Sequence, residues 1–206
     1  MAIGLVPVAL LVELDHYKII SDYCIGANGK VDSVKLYSEV PLQEIKTVTL
    51  DYQSKSSIKL TKVLNKFYWK QNFEYMDAKP GYEENIKGNN AAVVIGDRTF
   101  SLNGKFKFEY DLAEEWKKFT GLPFVFAAWV STSEIKKEFI DEFNLALEFG
   151  VANTKKAIDE SKNSHLSIQP SNHFNAEDYL SNKISYDLNS EKRKALDLFL
   201  EHIRKL

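Results

Sequence analysis

Short apolar runs fill the first two thirds of the chain, and apolar residues spaced three and four apart fill the last third. Thr47–Leu50 alternates β-branched and apolar positions, which predicts a strand. It enters a hydroxyl-rich turn, Asp51-Tyr52-Gln53-Ser54-Lys55-Ser56-Ser57, after which Leu60, Val63, Leu64 and Phe67 share one face of a helix predicted over residues 54–68. Residues 91–95 are continuously apolar and close on Gly96-Asp97, the pattern of a buried parallel strand whose C-terminal tip faces a cleft. Residues 124–130 form the most apolar strand. Further strands are predicted at 17–20, 24–27, 31–37 and 73–76, with a turn at Asn28-Gly29 and a short helical turn at 41–44. Pro7 divides an opening strand from a helical stretch that reaches about Leu14.

Asp111-Leu112-Ala113-Glu114 has the form of a capping box, and a short helix follows through Trp116 to Phe119. Thr120-Gly121-Leu122-Pro123 ends it. After Ser133 the pattern is helical to the end. Ile135, Phe139, Phe143, Leu147 and Val151 step by four, on a face expected to pack against the body of the protein. A helical stretch opens at Asn175-Ala176-Glu177-Asp178, and the last helix carries Leu196, Phe199, Leu200 and Ile203 on one face. Alternating strands and helices followed by helices alone predict an open α/β sheet with a long helical tail. Ligands in such sheets sit beyond the carboxyl ends of the strands. Those ends fall at 51–57, at Gly96-Asp97 and at 120–123.

Composition narrows the field. The 206 residues carry 27 basic and 29 acidic side chains, a net charge of −2, which argues against a nucleic-acid partner. The single cysteine, Cys24, permits neither an internal disulfide nor a thiolate zinc cluster, and points to a reducing, cytoplasmic setting. His16, His165, His173 and His202 have no ligand spacing, so no metal is expected. The apolar start is too short to span a membrane and has no basic leader, and no membrane partner is expected. Neither a Gly-x-Gly-x-x-Gly fingerprint nor a P-loop occurs.

The serine-rich turn is the strongest chemical signal. A helix start presents N–H groups that lack intrahelical partners, and together with hydroxyls these favour a carboxylate or a phosphate. The competing reading of Ser54 is a plain N-cap. Gly96 lets a backbone approach closely, and Asp97 is the only carboxylate at its strand tip, where it is either a site residue or a cap. Asp51 reads as a partner for neighbouring backbone N–H groups.

Several blocks, in order and spacing, resemble the chorismate dehydratase family of the futalosine route to menaquinone. They are Gly4-Leu5-Val6-Pro7-Val8-Ala9-Leu10, residues 29–38 from Gly29 to Ser38, Leu50-Asp51 through Ser57, Ile95-Gly96-Asp97, and Thr120-Gly121-Leu122-Pro123-Phe124-Val125-Phe126-Ala127-Ala128-Trp129. The resemblance implies an α/β, two-lobed fold like the type II periplasmic binding proteins, used as a cytoplasmic enzyme with a helical C-terminal tail. Residues 1–38 and 122–206 would form the first lobe and residues 39–121 the second, with crossings near 33–38 and 122–127. Family members begin with a further segment bearing a Ser-Tyr-Leu-Asn-type loop. Nothing here matches it, so the first lobe is expected to be incomplete and the chain alone poorly stable or inactive. Lys55-Ser56 stands where the family has Arg-Thr.

The implied reaction removes water from chorismate to give 3-[(1-carboxyvinyl)oxy]benzoate, a carbon–oxygen lyase step that needs no cofactor. The strand-tip positions, taken with the resemblance, assign substrate binding to Ser54, Ser56, Ser57, Gly96 and Thr120, and a catalytic role to Asp97 in a chain that lacks the family's substrate-facing asparagine. The alternatives are a non-catalytic small-carboxylate-binding module or an inactive truncated homologue of the same fold. A naphthoate-forming synthase of like fold ranks last, because its glycine-rich block differs from residues 121–127 here.

Overall fold

The computed structural model describes residues 3–162 and 174–206. In chain order, β1 (Ile3–Pro7) leads through a 3-10 turn (Val8–Val12) to β2 (Lys18–Ala27), β3 (Val34–Ser38) and β4 (Thr47–Leu50). Then come α1 (Lys55–Leu64), β5 (Glu74–Asp77), β6 (Asn90–Ile95), α2 (Arg98–Leu102), β7 (Phe108–Asp111), α3 (Leu112–Thr120) and β8 (Phe124–Ser131). The tail holds α4 (Lys137–Ala152), α5 (Thr154–Lys162), the single turn α6 (Ala176–Asp178), β9 (Ser185–Asp187) and α7 (Ser190–Arg204).

The strands form two sheets, ordered β1-β8-β2-β9 and β5-β4-β6-β3-β7. The first is antiparallel throughout, with Leu5 opposite Trp129 and Ala27 opposite Phe124. In the second, β4 runs parallel to β5 and β6, while β3 runs antiparallel to β6 and β7. The chain passes between the sheets at residues 28–33 and again at 121–123. Residues 34–38, placed in the first lobe by the sequence boundary, lie inside the second sheet. The reason is local: Asp32 has φ +67°, and this left-handed residue breaks the predicted strand at 31–37 so that pairing starts at Val34. The buried Asp111 carboxylate fixes this connection. One oxygen accepts from the N–H groups of Val31 (3.0 Å) and Asp32 (2.7 Å), and the other caps α3 through Ala113 and Glu114.

One large core runs across both sheets. α7 buries Leu196, Phe199, Leu200 and Ile203, the face its spacing predicted, and lies against β8, α1 and the 3-10 turn. Phe199 meets Trp116 of α3 and Phe124 of β8 edge-on at 5.8 and 4.9 Å. α1 buries Leu60, Val63 and Leu64, as its periodicity required, and then widens into a π-helical turn ending at Trp69.

Four local expectations are corrected. The strands at 17–20 and 24–27 are one strand, β2, interrupted by a bulge that the partner β8 tolerates. The tail is not purely helical: β9 pairs with β2, and the fully buried Lys192 of α7 bonds Ser185 Oγ (2.6 Å) and Asp187 Oδ1 (2.9 Å). α2 and β7 were unforeseen, because neither segment shows a clear period. α4 packs only in part as expected: Phe143 meets Trp129 of β8 edge-on at 5.0 Å and Asn144 Oδ1 accepts from Ser21 Oγ (2.8 Å) and Asp22 N–H (3.0 Å), but the helix buries no residue fully and Phe139, Leu145, Phe149 and Val151 are exposed. His165 and His173 lie outside the described residues. Among the described residues, no helix is long and apolar enough to cross a membrane.

Candidate functional site

The pairing directions bring one end of each sheet to a common seam. From the first sheet come the end of β1, the end of β2, the start of β8 and the approach to β9. From the second come the ends of β4, β6 and β7 and the start of β3. Every candidate motif lies on or beside this seam except Thr120, whose position is set by α3. Its hydroxyl donates to Trp116 O (2.8 Å) and accepts from Leu122 N (3.1 Å), so it closes the helix end.

The serine turn is a capped helix start docked against the first sheet. Ser54 is the N-cap, accepting from Ser57 N–H at 3.2 Å. Ser57 is buried and its hydroxyl donates to Ser54 Oγ at 3.0 Å. Ser56 is also buried. Its hydroxyl donates to Phe126 O (2.9 Å) and accepts from Ala9 N–H (3.3 Å), both on the first sheet's side of the seam. Lys55 reaches across the same boundary to Glu13, Nζ to Oε2 at 2.9 Å, in an exposed ion pair. The hydroxyls of Ser56 and Ser57, read from the sequence as carboxylate ligands, are therefore committed within the protein. What the turn leaves for an anion is the pair of first-turn N–H groups at Lys55 and Ser56, which precede Ile58, whose N–H makes the first intrahelical bond, to Ser54 O at 3.1 Å.

Asp51 is fully buried and structural. Oδ1 accepts from Gln53 N–H (2.9 Å), while Oδ2 accepts from Tyr82 Oη (2.7 Å), Ile95 N–H (3.1 Å) and the Arg98 guanidinium. Burial, then the bonded Asp51 carboxylate, pushes the Tyr82 phenol well above its ordinary range. Arg98 also holds Glu83 (2.8 Å) and Gln53 Oε1 (3.0 Å), which ties the serine turn to the tip of β6. The sequence reading missed Arg98, since nothing local distinguishes it from a solvated arginine.

The tip of β6 is the open part of the seam. Gly96 has φ +66°, and a Cβ placed there would meet no atom within 4 Å. Its N–H donates to Ser33 O (2.8 Å), and its carbonyl accepts from the Thr99 N–H and hydroxyl. Asp97 is exposed and makes no side-chain cap bond to α2. The N-cap reading of Asp97 thus fails, and its carboxylate stands at the tip without an ion-pair or hydrogen-bond partner among the described residues. Beside it lies Tyr179, hydrogen-bonded to Ser33 Oγ at 2.7 Å. Burial raises the Tyr179 phenol, the Ser33 hydrogen bond opposes this, and the Asp97 charge adds to the rise. Among the described residues, no group of His, Cys, Asp and Glu is arranged to hold a metal ion.

Solved structures share this architecture. Protein AF1704 from Archaeoglobus fulgidus superposes with a TM-score of 0.74 at 14% identity, covering 99% of this chain and 78% of that one. An ABC transporter structure from Parabacteroides distasonis gives 0.63 at 18% identity, covering 100% and 75%. At such identities the likeness concerns fold, and that fold is the two-lobed α/β arrangement of periplasmic-binding-type proteins. A family model described as menaquinone biosynthesis matches residues 1–205. The chain belongs to the menaquinone biosynthesis family.

Proposed function

We propose that this chain is a cytoplasmic chorismate dehydratase, binding the substrate in the seam between the sheets. The observation that carries the reading is the Gly96-Asp97 tip: a left-handed glycine facing open space, followed by an exposed carboxylate that caps nothing. A carboxylate left unpaired beside a strand tip is free to act on a ligand, and its position matches where open α/β sheets bind.

The chemistry asked of the site is modest. The C3–H and C4–O bonds of chorismate break, the elements of water depart, and the ring becomes aromatic. Aromatisation supplies the driving force, so the protein has to position two carboxylates, assist departure of the C4 hydroxyl and accept one proton. In this reading Asp97 accepts the proton or orients the hydroxyl. The N–H groups of Lys55 and Ser56 hold a carboxylate at the start of α1, with Ser54 and Ser57 shaping that turn. Gly96 permits close approach, and Thr120 serves only the connection at 121–123.

Incubating the purified chain with chorismate and following ultraviolet absorbance of the aromatic product tests this directly. Product formation that Asp97→Asn reduces by about a hundredfold supports the reading. Saturable chorismate binding without product would instead favour a carboxylate-binding module, and Asp97→Asn with full turnover would remove the carboxylate from the mechanism.

A further inference from the structure

We propose that Tyr179 is a substrate-contacting residue, supplied by the C-terminal tail, whose phenol exchanges its hydrogen bond to Ser33 for one to a substrate oxygen. The inference rests on the dehydratase reading and adds a residue that no motif in the sequence marks.

Three independent features place Tyr179 at the ligand end of the seam. The first is the approach of the tail. α6 passes into a π-helical turn over Tyr179–Lys183 just before β9, closed by Ile184 N–H to Tyr179 O at 3.0 Å. Single π-helical turns recur at functional positions because the extra residue re-aims a side chain. The second is fixation of the ring. Phe100 of α2 lies edge-on at 5.5 Å and Phe174 at 5.6 Å, so the phenol is held against the second sheet although its backbone belongs to the tail of the first. Lys183, one turn on, pairs with Asp32 at 3.3 Å and anchors the same segment.

The third is the company of the hydroxyl. Ser33, its partner, accepts from Gly96 N–H through its carbonyl, so the phenol is one residue from the left-handed glycine and close enough to Asp97 to feel its charge. Tyr179 also borders a cavity of about 180 Å³ whose polar lining is Asp32, Asn103, Asn175, Asp178 and Lys183, next to the Gly96-Asp97 tip in the fold but not lined by it. A rigid phenol that is linked through Ser33 to the Gly96 tip and borders open volume suits a small ring compound bearing a hydroxyl oxygen. A neutral phenol at this place donates a hydrogen bond; no proton transfer through it is required.

The test compares Tyr179→Phe and Ser33→Ala with the unmodified chain by steady-state turnover of chorismate, calorimetric binding and thermal melting. Tyr179→Phe keeps the ring packing and removes only the hydroxyl, and is expected to lower kcat/KM by about tenfold, chiefly through KM, with the melting temperature nearly unchanged. Ser33→Ala removes only the resting partner and is expected to leave kcat/KM within about twofold. Equal losses in both variants would show that the bond is a structural clasp and overturn the inference, as would Tyr179→Phe with unaltered kinetics. An unmodified, folded chain that neither binds nor converts chorismate would instead sink the dehydratase reading, and this assignment with it.

Discussion

The Ser56 hydroxyl donates to the Phe126 carbonyl across the seam at 2.9 Å while accepting from Ala9 N–H, and this one side chain joins the start of α1 to β8 and to the 3-10 turn that follows β1. Ser56→Ala would leave a buried carbonyl and a buried N–H without partners. The expected loss is about 1–3 kcal/mol of unfolding free energy, read from urea denaturation at constant m-value. A variant as stable as the parent would mean that water replaces the hydroxyl and that the seam opens in solution.

His202 gives a pH dependence. Its ring lies 4.5 Å from Phe67 and 5.7 Å from Phe119, with Trp116 edge-on at 6.2 Å, and its Nδ1 is buried without a hydrogen-bond partner. Burial, with Lys205 assisting and Glu201 opposing, lowers its pKa from the ordinary 6.5. The unfolded chain therefore binds more protons as pH falls below that value, so this contribution to stability is complete at higher pH and is lost on acidification through the depressed folded value. Melting temperature should fall more steeply between about pH 7 and 5 for the parent than for His202→Phe. Parallel profiles would assign the acid sensitivity to other groups.

Two glycines should respond differently to alanine. A Cβ on Gly26 would sit 2.7 Å from the backbone oxygen of Phe124, which cannot withdraw without disturbing β8. A Cβ on Gly96 would meet open space, leaving only the strain of a positive φ, about 1 kcal/mol. Gly26→Ala is expected to be the more destabilising by calorimetry, and Gly96→Ala to stay folded but lose chorismate turnover. The reverse order of melting temperatures would contradict the packing described around β2.

Cys24 should be chemically silent in the folded chain. It is buried, its thiol faces the carbonyl of Asp187 at 3.6 Å, and burial is the main cause that pushes its pKa up to about 11. Iodoacetamide near pH 8 should modify it only after unfolding. Stoichiometric labelling of the native chain would show that β9 detaches from β2.

The sequence by itself determined what local rules control. The apolar run of β6 and its Gly96-Asp97 stop, the periodic faces of α1 and α7, the Ser54 cap and the carboxylate role of Asp51 all follow from spacing and turn chemistry within a few residues. Tertiary structure decided where the side chains are spent. Whether a serine hydroxyl faces a ligand or the Phe126 carbonyl and whether Tyr179 reaches Ser33 depend on partners 70 and 146 positions away, and whether Asp97 caps α2 or leaves its N-terminus uncapped is likewise not set by its neighbours in sequence. The same holds for β9 and for the partly covered face of α4: a three-residue strand and a helix of ordinary amphipathic pattern acquire meaning only from the neighbour that packing supplies. Periodicity reports which face seeks burial; it carries no record of what lies across the seam.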